Sequence, residues 1–140
     1  MHGQEAASNK AEGVIPLKEF RNKNIDYLAL GHVHFYKKAE LDARGIYCYP
    51  GCLEGRGFDE CGEHGFVVVD IDTESGKVNT NFISFASRKL YEVEVDVKDC
   101  MSTLDVEDKV REVLEQKAIL HKHLVRVLLC GERDCESEWN

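Results

Sequence analysis

The sequence predicts an α/β protein, and three stretches of the chain carry that prediction. The run Asp26–Leu30 is short and apolar and stops at Gly31, which is typical of a strand buried in a parallel sheet. Gly65–Ile71 and the returning run Val78–Phe85 flank a glycine-containing turn, as the strands of a β-hairpin do. From residue 90 onward the pattern becomes strand, helix, strand, the order of a β-α-β unit.

The first half of the chain alternates between loops and short elements. Residues 1–13 are small and polar and are expected to form a loop. Pro16 suits the first turn of a helix over residues 17–23. Ile46–Tyr49 is a strand candidate, and the glycine-rich stretch 51–65 that follows it predicts a long loop of the kind that often carries function.

The last third of the chain predicts its elements most clearly. Residues 90–97 alternate apolar and polar side chains as a strand does. Ser102 or Thr103 is expected to cap a helix over residues 104–117, and Leu124–Cys130 is expected to form a second strand. The apolar residues of the helix recur at helical spacing. They are Val106, Val110, Val113 and Leu114.

Two domains are expected, residues 1–87 and residues 88–140, joined at the polar stretch Ala86-Ser87-Arg88. A lone β-α-β unit of about fifty residues is small for an independent domain. The second domain therefore looks cut short.

Composition and charge exclude several classes of protein. Of the 140 residues, 43% are hydrophobic and 31% charged, which excludes a disordered, collagenous or coiled-coil chain. Lys and Arg number 18 against 26 Asp and Glu, for a net charge of -8. A chain this acidic has no basic field to hold nucleic acid non-specifically. If it acts on phosphates, metal ions or a further segment must supply the positive charge.

The expected location is the cytoplasm, without a membrane partner. No apolar run approaches the ~18 residues of a transmembrane helix, and the polar start lacks the core of a signal peptide. The six cysteines are therefore interpreted first as reduced thiols.

The sharpest chemical feature is Gly31-His32-Val33-His34, directly after the first predicted strand. Ligands in open α/β folds bind where the carboxyl ends of strands meet loops. Two histidines two positions apart, after a glycine, would direct imidazoles at neighbouring metal ions. The alternative is a pair of loop histidines without a function.

Three motifs together resemble a known family. The run Asp26–His34, the stretch Tyr49-Pro-Gly-Cys52 and the strand Gly65–Val69 are similar in order and spacing to SbcD-type DNA repair exonucleases of the calcineurin-like metallophosphoesterase superfamily. His2-Gly3 also resembles the family's preceding metal motif. The resemblance implies the C-terminal portion of a metallophosphoesterase β-sandwich flanked by helices, followed by a partial β-α-β capping domain.

The resemblance also implies a two-metal phosphodiesterase, with two divalent ions, typically manganese, in the full-length protein. His2 and His32 would bind one ion and His34 the other. Cys52 stands where the family usually has serine.

Tyr49, Cys52 and Arg56 are the implied substrate-binding residues, with Arg56 a candidate phosphate contact. Two alternatives stay open: Arg56 as a solvated loop residue, and His2 as a frayed terminal residue.

The chain also departs from the family. It contains no Asp-x-His, Gly-Asp or Gly-Asn sequence, so the motifs of the family's N-terminal half, with its catalytic histidine, have no counterpart. We therefore expect a C-terminal fragment of a nuclease subunit that is inactive alone and holds no catalytic residue of its own. It would bind few or no metal ions, and an open sheet edge would favour self-association. In the full protein the implied partners are double-stranded DNA ends and an SbcC-type ATPase.

Two other functions remain open at this point. Cys48, Cys52, Cys61 and His64 could form the structural zinc site of a short adaptor, although their spacing is not that of a standard zinc finger. A phosphoesterase of the same superfamily that acts on a small phosphodiester is the other alternative.

Overall fold

The computed structural model describes residues 1–6 and 13–131, which contain nine β-strands and one α-helix. The architecture is mixed α/β, as predicted at that level. The chain divides into two compact units. The first combines Met1–Arg56 with Glu63–Ser87, and the second combines Gly57–Gly62 with the chain from Arg88 onward. The second unit thus includes a segment of the loop that sequence analysis assigned wholly to the first domain.

The described part of the first unit, residues 1–6 and 13–56 with 63–87, contains seven strands in three small sheets. They are β1 (Gln4–Ala6), β2 (Val14–Pro16), β3 (Tyr27–Ala29), β4 (Lys37–Glu40), β5 (Ile46–Tyr49), β6 (Gly65–Ile71) and β7 (Val78–Ser84). β1 and β2 pair in parallel. β5 lies between β3, which is parallel to it, and β4, which is antiparallel. β6 and β7 form the predicted antiparallel hairpin.

The core of the first unit forms where the central strands meet the β2 region. Because successive strand residues point to opposite faces, Tyr47 and Tyr49 of β5 share one face and both lie in this core. The other buried members are Ile15, Leu17, Leu28, Leu30 and Leu41. This core fixes the ends of β3 and β5, the two strands that precede the histidine and cysteine motifs.

Two predictions for the start of the chain were wrong. The expected helix over residues 17–23 is only a 3-10 turn, Leu17–Glu19, and Pro16 lies in β2 with extended dihedrals. Asn22 and Asn24 then adopt left-handed backbone conformations, with φ of 56° and 59°, which a helix cannot accommodate. The expected loop over residues 1–13 contains β1. The predicted flanking helices are not found among the described residues of this unit.

The second unit follows the predicted β-α-β order. β8 (Leu90–Asp96) and β9 (Leu124–Cys130) pair in parallel, and α1 (Thr103–Gln116) connects them. Ser102 caps α1 in a capping box, accepting from the Asp105 amide while the Asp105 carboxylate accepts from the Ser102 amide. Val106 is buried, and the predicted helical stripe packs on β8 and β9. Within the described residues no helix combines the length and the apolar character that crossing a membrane requires.

Candidate functional site

The start of the chain runs beside the end of β3. Gly31 donates its amide to the Met1 carbonyl over 2.8 Å, and Gly3 donates to the Gly31 carbonyl over 3.0 Å. These two bonds form a parallel bridge that places His2 opposite Gly31. The imidazole of His2 therefore lies next to that of His32, with ring centroids 5.2 Å apart and ring planes at 77°. The structure thus brings together two of the three predicted metal ligands.

Backbone geometry at residues 31 and 32 makes this approach possible. A Cβ atom on Gly31 would lie 3.2 Å from the His2 Nδ1 atom, closer than most side chains tolerate. His32 has a φ of 109°, in a region that glycine favours and other residues rarely occupy. Strain of this kind costs on the order of 1–3 kcal/mol and concentrates at functional sites.

The distance between the His2 and His32 rings can be compared with that of two imidazoles on one metal ion. An imidazole nitrogen binds such an ion at about 2.1 Å, so each ring centroid would lie roughly 3.2 Å from it. Two rings that subtend about 90–110° at the ion would then be roughly 4.5–5.2 Å apart. The observed 5.2 Å is compatible with that range. However, no group of three or more metal-binding side chains occurs within residues 1–6 and 13–131, so any such site is incomplete there.

His34 has a different neighbour. The Nη2 atom of Arg56 lies 2.9 Å from its Nδ1 atom and 3.1 Å from its Nε2 atom. A guanidinium only donates hydrogen bonds, so the imidazole must offer it an unprotonated nitrogen. For His34 to bind a metal, Arg56 would have to move aside. Arg56, the candidate phosphate contact, and His34, the candidate metal ligand, thus lie together. The sequence did not predict this contact.

The Pro-Gly step of the Tyr49-Pro-Gly-Cys52 motif positions the loop against His34. Gly51 has a φ of +83°, and a Cβ atom on it would lie 2.8 Å from the His34 carbonyl oxygen. The next residue, Cys52, donates its amide to that same oxygen over 3.0 Å. The glycine is therefore required by close backbone approach as well as by its dihedral angle.

Tyr49 is fully buried, and its hydroxyl donates to the Gly3 carbonyl over 2.8 Å. Burial and the neighbouring Glu5 carboxylate raise the pKa of Tyr49 above its usual range, so the hydroxyl stays protonated. Tyr49 therefore anchors the segment that carries His2. Its implied role in substrate binding stays a prediction.

Cys52 lies beside His64, with its Sγ atom 3.3 Å from the His64 Nδ1 atom, and the His64 side chain is buried. From the sequence, His64 was a candidate zinc ligand, and Cys52 was both a candidate zinc ligand and an implied substrate-binding residue; this contact between them was not predicted. Among the described residues no metal-binding group of three or more side chains is present. Cys48 is buried in β5, where burial raises the pKa of its thiol, and Cys61 donates to the Phe58 carbonyl.

No protein-family model matches the chain, and no curated protein matches it significantly. The geometry above is therefore the basis for a functional assignment.

Proposed function

We propose that the chain is the C-terminal part of the phosphoesterase domain of an SbcD-type DNA repair exonuclease, with the start of its capping domain. The observation that supports this most strongly is the parallel bridge between His2 and Gly31. It places the imidazoles of His2 and His32 5.2 Å apart at the carboxyl end of β3. That position is where open α/β folds bind their ligands.

In the complete protein, His2 and His32 would hold one divalent ion and His34 a second, both most simply manganese. Such ions polarise the phosphate and generate a hydroxide nucleophile. Arg56, which already contacts the His34 ring, would turn to the phosphate and Cys52 would line the path of the DNA. The ions would also offset the chain's net charge of -8 near a polyanion.

Alone, the chain is proposed to be inactive, because the aspartate motifs and the catalytic histidine of the family are missing from its sequence. The complete cytoplasmic protein would act on double-stranded DNA ends with an SbcC-type ATPase. Action on a small phosphodiester instead is one outcome of the test.

The test extends the chain with the residues that its gene encodes upstream and assays manganese-dependent cleavage of linear duplex DNA and of a small chromogenic phosphodiester. We expect cleavage of DNA ends by the extended protein and none by the 140-residue chain. His32→Ala should abolish cleavage. His121→Ala, which removes an exposed histidine of the second unit, should not change it.

Three results would contradict the proposal. A stop codon directly upstream would show that the other motifs are not encoded with this chain. Cleavage unaffected by His32→Ala would remove the histidines from the mechanism. One tightly bound zinc per chain, lost in Cys52→Ala and retained in His32→Ala, would favour the adaptor. Cleavage of the small phosphodiester but not of DNA would support metal-dependent phosphodiester hydrolysis and would contradict DNA as the substrate.

A further inference from the structure

The outer edge of β9 is an unassigned surface of the second unit. Because β8 and β9 form a two-stranded sheet, each has one outer edge. The edge of β8 receives a backbone hydrogen bond from Gly62, which donates to the Leu90 carbonyl over 3.1 Å. No strand of the part described here pairs with the edge of β9. A seven-residue strand with an uncovered edge is a template for another strand.

Backbone bonds at its two ends show which groups of β9 face outward. The Leu124 amide donates to the Lys89 carbonyl over 3.0 Å, and the Cys130 carbonyl accepts from Val97 over 2.9 Å. The backbone amides and carbonyls of residues 124 and 130 therefore point toward β8. Since strand residues alternate, Val125, Val127 and Leu129 direct their amides and carbonyls to the outer edge.

The same three residues have side chains on the face that α1 covers. Val125 and Val127 pack against the core beneath the helix, and Leu129 remains 45% exposed. An open groove runs beside them. It is lined by Val106, Glu107, Val110, Arg111 and Leu114 of α1 and by Val127 and Leu129 of β9. None of the lining residues comes from β8, so the groove lies on the side of the uncovered edge.

We propose that a second copy of this chain covers the edge, with β9 pairing antiparallel to β9 about a two-fold axis at Val127. In this register Val127 lies opposite Val127 of the second copy and Val125 lies opposite Leu129 of the second copy. These are the residues whose backbone groups face outward. Their side chains form one apolar strip on the helix face, and on the other face Arg126 lies opposite leucine rather than arginine.

Charge complementarity on the helices favours a second copy over other occupants. Because β8 and β9 are parallel and α1 connects them, α1 runs back in the opposite direction to β9, which brings Val127 level with the middle of the helix. Val106 and Leu129 line the same groove, and Val125 lines a neighbouring one with Leu114. A two-fold axis there turns Glu107 of each copy toward Arg111 of the other.

Residues 132–140 follow β9 directly and are an alternative occupant. They carry four acidic side chains and one basic one, which suits an apolar groove poorly.

The first test is sedimentation equilibrium of the 140-residue chain in a thiol reductant, which prevents cross-linking through the exposed Cys130. We expect a reversible equilibrium between monomer and dimer. Leu129→Lys places a charge in the apolar strip and should raise the dimer dissociation constant at least about tenfold. The matched control is Met101→Lys, which changes an 83% exposed residue outside β9 and should leave the constant unchanged.

A charge exchange on α1 tests the two-fold arrangement itself. Glu107→Arg and Arg111→Glu should each weaken the dimer, and the double variant should restore it. Circular dichroism checks that each variant keeps its helix, since Arg111 also bonds Asp108 within α1. Lys109→Glu, on the opposite side of α1 beside β8, is the control.

The dimer does not depend on the nuclease assignment, and its failure would leave that assignment untouched. A monomer at every concentration, or a dimer whose dissociation constant does not change in Leu129→Lys, would overturn the proposed dimer. A monomer that dimerises only after residues 132–140 are removed would show that those residues cover the edge, which would also overturn the proposed dimer. A double exchange that fails to restore a dimer weakened by both single variants would overturn the two-fold register.

Discussion

Replacing Tyr49 by phenylalanine should loosen the segment that carries His2. The Tyr49 side chain has no exposed surface, and its hydroxyl donates to the carbonyl of the buried Gly3 over 2.8 Å. Phenylalanine keeps the ring and therefore the packing in the core. The substitution removes only the hydroxyl group, which donates the hydrogen bond that the Gly3 carbonyl accepts.

The expected loss follows from the partner that remains. Leaving a buried carbonyl without its hydrogen-bond donor lowers the free energy of unfolding by about 1–3 kcal/mol. Removing the donor and the acceptor together has little effect, but here the acceptor remains. We therefore expect the free energy of unfolding of the first unit to fall by about 2 kcal/mol. Because Gly3 also donates to Gly31, the bridge that positions His2 should open more often than in the parent chain.

Urea denaturation measures the stability, and amide hydrogen exchange at Gly3 and Gly31 measures the bridge. Tyr47→Phe is the matched control, since Tyr47 is 7% exposed and its hydroxyl has no hydrogen bond within the described residues. It should cost less than about 0.5 kcal/mol. Equal losses in the two variants, or unchanged exchange at Gly31 in Tyr49→Phe, would show that the Tyr49 hydroxyl does not hold the Gly3 carbonyl in place.

Three further outcomes are expected. Ser102→Ala should lower the stability of the second unit by about 1 kcal/mol, with loss of helical circular dichroism, because α1 loses its cap. The Asp42 carboxylate accepts hydrogen bonds from three backbone amides, which lower its pKa from the usual value of 3.8. The stability that these bonds contribute is therefore complete above pH 3.8 and is lost as the pH falls through the lowered pKa. The difference in melting temperature between the parent chain and Asp42→Asn should accordingly vanish in acid. Gly51→Ala should destabilise more than Gly76→Ala in urea, because both have positive φ but only Gly51 approaches another backbone, the His34 carbonyl.

Elements with a strong periodic pattern were predicted from the sequence, and those without one were missed. Gly65–Ile71 is rich in β-branched residues and returns through a glycine turn, so the hairpin was found. The helix α1 was found from its apolar stripe and its cap. In contrast, Lys37–Glu40 forms β4 without a single β-branched or aromatic residue, because pairing with β5 overrides its weak local preference.

The candidate site was only partly predictable for a related reason. The resemblance paired His2 with His32, and the backbone bridge gives that pairing a physical basis. The contact between Arg56 and His34 depends on the path of a long glycine-containing loop, which no local pattern determines. The resemblance implied Tyr49 as a substrate-binding residue, and that role stays a prediction. What no local pattern indicated is that the Tyr49 side chain lies in the core and bonds the Gly3 carbonyl.

The bridge between His2 and Gly31 also has a thermodynamic consequence. Its two sides are separated by a chain segment of roughly thirty residues, whose closure carries a length-dependent entropy cost of about 3 kcal/mol. The imidazole pair therefore does not exist until that loop has closed, and the unfolded chain keeps the two rings apart. An ion that binds the pair would bind only the closed form and would stabilise it in proportion to the logarithm of its concentration. Metal binding would then be coupled to closure of the bridge, so that occupancy of the site and completion of this part of the fold would favour each other.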